Sequence, residues 1–113
     1  MIMHLVLLKP GADLTEADRR DFVAAFERAV REIPTVRGVR IGLRVTHGAG
    51  YEAVAPDAAD VVAVIDFDDL AGLHAYLRHP AHEDVGVHFG RSLRSAMVYD
   101  FDTGGIEVLQ RLV

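Results

Sequence analysis

Apolar positions along this chain switch between two periods, and each switch marks an element. Ile2 to Leu8 is a short apolar run closed by Lys9-Pro10-Gly11, which predicts a buried strand ending in a turn. Thr15-Glu16-Ala17-Asp18 has the form of a capping box, with the Thr15 hydroxyl accepting from the Asp18 amide and the carboxylate reaching back. Beyond it Phe22, Phe26, Ala29, Val30 and Ile33 recur at helical spacing, while Arg19, Arg20, Glu27, Arg28 and Arg31 take the other faces. That spacing predicts an amphipathic helix of about five turns, stopped before Pro34.

From Val36 to Thr46 the period falls to two. Val39, Ile41, Leu43 and Val45 alternate with Arg40, Gly42, Arg44 and Thr46, the pattern of a strand with one apolar face. His47 to Asp57 holds Gly48, Gly50 and Pro56 and reads as a loop of about a dozen residues, longer than a tight hairpin needs. Asp60 to Phe67 is almost continuously apolar and β-branched, as in a strand covered on both faces. Asp68-Asp69 can cap a helix whose stripe is Leu70, Leu73 and Leu77. His79-Pro80-Ala81-His82 reads as a break, with a further helix from Glu83-Asp84 along Val85, Phe89 and Leu93. Met97 to Phe101 predicts a closing strand, and Gly104-Gly105 a hinge before an apolar tail with no assigned structure.

The order is β-α-β-β-α-β, a ferredoxin-like α+β arrangement of four antiparallel strands with helices on one face. The first and third strands are apolar on both faces, although helices cover only one. A second copy of the sheet is expected to cover the other, so that two sheets stack in a homodimeric α+β barrel. The domain is expected to span residues 1–103, with 104–113 as its tail.

Composition narrows the partners. A chain of 113 residues fits one domain with a modest core. Half the residues are apolar and 26% charged, a globular profile. The net charge of -5, with Lys and Arg scattered, argues against nucleic acid and against an anionic membrane surface. The absence of cysteine excludes disulfides, thiol catalysis and thiolate metal sites. The N-terminal apolar run lacks a basic start and meets Lys9-Pro10 after eight residues. Nothing approaches the roughly 20 apolar residues of a membrane span. A soluble cytoplasmic protein is the expectation.

Several strings resemble one family. His4-Leu5-Val6-Leu7-Leu8-Lys9, Ile33-Pro34-Thr35-Val36-Arg37-Gly38, and above all Tyr76-Leu77-Arg78-His79-Pro80-Ala81-His82 with Val85 and Tyr99-Asp100-Phe101 are similar to the stress-responsive dimeric α+β-barrel (Dabb) proteins. The likeness covers about residues 3 to 102. One group of that family consists of plant polyketide cyclases, which close a linear polyketide thioester by an aldol step. The resemblance implies that His82 is a general base, that Tyr76 holds or protonates the developing oxyanion, and that His4 is the first-strand histidine of the site. Such chemistry needs no cofactor: imidazole titrates near neutrality, and a phenol donates well to an oxyanion.

The residues also allow plainer roles. His79 sits at a helix end, where an imidazole can bond free carbonyls. His4 is a lone polar group in an apolar strand and needs a partner or a cavity. His88 lies near the Val85-Phe89 stripe and is a further candidate for contacting a ligand in the same interior. His79 and His82 with Glu83 and Asp84 have metal-like spacing, but Pro80 interrupts the helix between them, so no metal site is expected. The related monooxygenase and haem-degrading barrels rely on a tryptophan or a haem-ligating histidine, and this chain has no tryptophan. Three readings stay open: small-molecule binding in an apolar hollow, proton-transfer catalysis there, and a structural homodimer.

Overall fold

The computed structural model describes residues 1–57 and 59–112. Its elements are β1 (Ile2–Pro10), α1 (Glu16–Glu32), β2 (Gly38–Leu43), β3 (Val61–Phe67), α2 (Leu70–Arg78), α3 (Pro80–Ser92) and β4 (Leu93–Asp102). Short 3-10 turns occupy Gly50–Ala53 and Ile106–Arg111. The strands form one antiparallel sheet in the order β2-β3-β1-β4, the ferredoxin-like topology that the periodicity predicts.

Strand β1 is hydrogen-bonded on both sides, with Leu5 opposite Val64 of β3 and Tyr99 of β4. Its alternate residues Ile2, His4, Val6 and Leu8 are buried beneath the helices, while Met3, Leu5 and Leu7 face the uncovered side. Ile65, Phe67, Leu73, Tyr76 and Val85 join Ile2 and the small residues Ala25, Ala29 and Ala81 in the main core. Small residues on α1 and α3 let these two helices pack closely against each other.

The expected barrel is not formed. The sheet is open, and β2 and β4 are its edges. A barrel wide enough to be filled by side chains takes about eight strands, so four strands of one chain cannot meet edge to edge. One face is left without helices and carries apolar side chains.

Several boundaries also differ from the periodicity. The break falls where the sequence places it, with α2 ending at Arg78. However, α3 starts at Pro80 and not at Glu83, because Pro80 takes its first turn, where the missing N–H costs nothing. His79 makes this possible: its Nδ1 accepts from the Ala81 amide at 3.0 Å. Its imidazole therefore caps the start of α3, and at the end of α2 it is the His79 backbone N–H that donates to the Tyr76 carbonyl at 3.2 Å. The buried stripe of α2 is Gly72, Leu73 and Tyr76, whereas Leu70 is half exposed. β1 runs on to Pro10 past a register shift, and β4 begins at Leu93.

Two other helix starts carry the predicted side-chain caps, although among the described residues no return bond joins the Thr15 amide to the Asp18 carboxylate. Thr15 Oγ1 accepts from the Asp18 amide at 3.0 Å, and Asp69 Oδ1 from the Gly72 amide at 2.8 Å. Asp68 instead takes Arg37 Nε at 2.9 Å. Among the described residues no helix is long and apolar enough to cross a membrane.

Replacing the His79 cap tests the junction. His79→Ala should lower stability by about 1 kcal/mol in urea unfolding, and His79→Asn should retain most of it. An unchanged midpoint in His79→Ala would remove the imidazole from the account of where α3 begins.

Candidate functional site

The antiparallel register sets His4 opposite Asp100 of β4, on the helix-covered side of the sheet. His4 is buried, and its Nδ1 lies 2.6 Å from Asp100 Oδ1. A carboxylate only accepts, so Nδ1 carries the proton and donates it. The desolvated imidazole thus has its partner 96 positions along the chain, and Nε2 is left for other work.

Tyr76 comes from the last turn of α2 and His82 from the first turn of α3. Because Pro80 starts α3 directly after the His79 cap, both rings are turned toward one region of the sheet. The Tyr76 ring centroid lies 4.7 Å from that of His82 and 5.8 Å from that of His4. Phe67 packs on Tyr76 at 5.2 Å.

These three side chains line a single cavity of about 200 Å³ between α3 and the sheet. Its other walls are apolar, among them Val6, Phe26, Ile65, Val85 and Phe89. Phe26 and Ala63 also border a second apolar cavity of about 250 Å³ between α1 and the sheet. A concave apolar site with a few convergent polar groups is the usual form of a small-molecule site. A larger cavity of about 300 Å³ at the β2–β3 end, beside Leu43, Arg44 and Asp60, gathers no imidazole or phenol.

Electrostatics separate the roles of the two helix residues. Burial raises the Tyr76 phenol to about 12, so it stays a donor across the physiological range. Burial, and then the neighbouring His4, hold the His82 imidazole below its ordinary value, against weaker opposing effects of the Leu77 carbonyl and Glu83. His82 is accordingly neutral at pH 7, the state in which an imidazole accepts a proton.

His88, expected to reach the same interior, lies elsewhere. It lines a shallow depression with Asp21, Arg28 and Asp84, and its Nε2 is 4.0 Å from Asp84 Oδ1. The helical period carries it toward α1, not toward β1. Among the described residues no group of three or more His, Asp or Glu side chains is arranged to hold a metal ion.

A family model described as Stress responsive A/B Barrel Domain matches residues 2–103. The chain belongs to this family. It is 24% identical over 100 residues to olivetolic acid cyclase from Cannabis sativa, covering 88% of this chain and 94% of that protein. A dimeric ferredoxin-like protein from Jannaschia sp. superposes with a TM-score of 0.71 at 24% identity, covering 90% of this chain and 98% of that one. Hydroxynitrile lyase from Passiflora edulis superposes with a TM-score of 0.74 at 13% identity, covering 91% and 93%. At these identities the structural likenesses establish the fold alone.

For this member of the stress-responsive A/B barrel family, Asp100 is the residue that sequence reasoning did not single out. Its signal lay in the lone buried histidine of β1, which required a partner, but only the β1–β4 register says which residue that is.

The lowered His82 value has two measurable consequences. In NMR titration its ring should have a midpoint below 6.5. As pH falls, the unfolded chain takes up this proton before the folded one. The stability contributed by the neutral ring is therefore complete above the ordinary imidazole value and lost as pH falls through the lowered one. His82→Gln should flatten that loss in urea unfolding. A His82 midpoint at or above 6.5 would contradict the burial argument.

Proposed function

We propose that the cavity between α3 and the sheet binds a small organic carbonyl compound and moves a proton on it, with His82 as base and Tyr76 as donor. The observation that carries this reading is the convergence of His4, Tyr76 and His82 on one apolar cavity. His82, neutral and partly desolvated, takes a proton from a carbon flanked by carbonyls. Tyr76, held protonated, donates a hydrogen bond to the enolate oxygen that forms. His4, fixed by Asp100, offers Nε2 as the third polar contact and keeps the substrate from turning. The name of one similar protein, a cyclase, supports an enzyme over a passive binder.

A separate observation favours pairing of two copies through the uncovered sheet face. Met3, Leu5, Leu7, Val64, Tyr99 and Phe101 lie on that face, with Tyr99 and Phe101 nearly half exposed in one chain. An apolar area of this kind is the usual mark of an interaction surface. The similar Jannaschia protein is dimeric by name.

The proton-transfer reading is tested with a β-keto thioester, acetoacetyl-N-acetylcysteamine, in deuterated water, following loss of its α-proton signal by NMR. The protein should accelerate exchange over buffer, His82→Ala should lose about 10²–10⁴-fold and Tyr76→Phe about 10²–10³-fold of that rate. Asp100→Asn should weaken the reaction less than His82→Ala while leaving the fold intact. Exchange no faster than in buffer, or unchanged in His82→Ala, would overturn it.

Light scattering after gel filtration tests the pairing. The wild-type chain should elute as a dimer, and Val64→Asp as a monomer or an aggregate. A folded wild-type monomer would refute it.

A further inference from the structure

The cavity has twelve lining residues, and only Leu77, Gly86 and Val98 among them are exposed. The opening is therefore where these three meet, between the end of α2, the middle of α3 and the edge strand β4. Leu77 and Val98 are apolar and form two sides of it. The third side is Gly86, which has no side chain.

Nothing in the backbone calls for glycine at this point. Gly86 lies inside α3 with no positive φ, since Gly48 alone among the described glycines has one. No heavy atom of the rest of the chain comes within 4 Å of where its Cβ would stand, so close packing does not require it either. A glycine in a helix interior lowers helix stability relative to alanine. Its position offers one compensation, the gap it leaves above His82, one turn earlier on the same side of α3.

We infer that Gly86 is the specificity-determining doorway of the cavity: its missing side chain admits a ligand to His82 and Tyr76, and the apolar rim of Leu77 and Val98 selects an uncharged portion of that ligand. The doorway opens on the helix-covered side of the sheet, between α3 and Val98 of the edge strand β4. Pairing of two copies through the opposite face leaves it free. Gly90, one turn further along α3 and equally unobstructed, does not border the cavity and serves as the matched control.

This inference deepens the proton-transfer reading, but its test measures access and requires no turnover. Carbethoxylation of histidines by diethyl pyrocarbonate at neutral pH, followed by peptide mass mapping, reports how freely a small neutral reagent reaches each ring. His82 should react in the wild-type protein, more slowly in Gly86→Ala, and with loss of most of its rate in Gly86→Leu. His47 and His74, both exposed, should react equally in all variants. Gly90→Leu should leave His82 at its wild-type rate. Faster modification of His88, which lies toward α1, would reveal a disturbed fold in Gly86→Leu, and the Gly86→Ala rate then decides. An unreactive wild-type His82, an unchanged rate in the Gly86 variants, or equal slowing by Gly90→Leu would overturn the doorway. Each of those results would leave the roles of His82 and Tyr76 to the exchange assay.

Discussion

Strand β1 lies between β3 and β4 and is bonded to both, so its register decides which face every side chain of the sheet takes. Side chains alternate along a strand, and a slip of one residue would send His4 to the uncovered face and Met3 into the core. The apolar set Ile2, Val6 and Leu8 opposes that slip because its burial would be lost at once. The same set carries His4 with it. A buried imidazole among aliphatic side chains is tolerated because the neighbouring strand delivers Asp100 at hydrogen-bond distance.

The corner between α2 and α3 does the corresponding work above the sheet. His79 is the last cap of α2 and the first cap of α3, so no loop separates the two helices. A rigid corner fixes the angle between Tyr76 and His82 more tightly than a flexible connection would, and placement of this kind is what proton transfer demands. Burial then sets the charge states. It keeps the phenol protonated and the imidazole neutral, which are opposite protonation outcomes from one cause, because each group avoids its charged form.

The two faces of the sheet differ in what they carry. The helix-covered face holds His4, His82 and the cavity, while the other face is mostly apolar, with Asp66 and Arg40 among its polar positions. The proposed ligand site and the proposed pairing surface lie on opposite faces, so they occupy one small domain without competing for area.

Much of this was legible in the order of residues. The switch of apolar period from two to 3.6 announced each strand and helix, and Thr15 and Asp69 declared two helix starts through their hydroxyl and carboxylate. The string from Tyr76 to His82 pointed to the candidate site through its resemblance to the stress-responsive barrel proteins, and His4 also as a lone polar group in an apolar strand, which demands a partner or a cavity. Other features depended on neighbours remote in the chain. Pro80 marks the break between two helices locally, but that the second begins at once, and not at Glu83, depends on the packing of Ala81 and Val85. His88 has the helical spacing to reach inward, yet the rotation of α3 set by its buried face turned it to α1. Asp100 is 96 positions from His4, and no local pattern joins them. The open edges of the sheet follow from strand number and order, which periodicity does not encode. Local chemistry and period specify what each segment is, whereas register and helix rotation, being relations between segments, arise only when the segments pack.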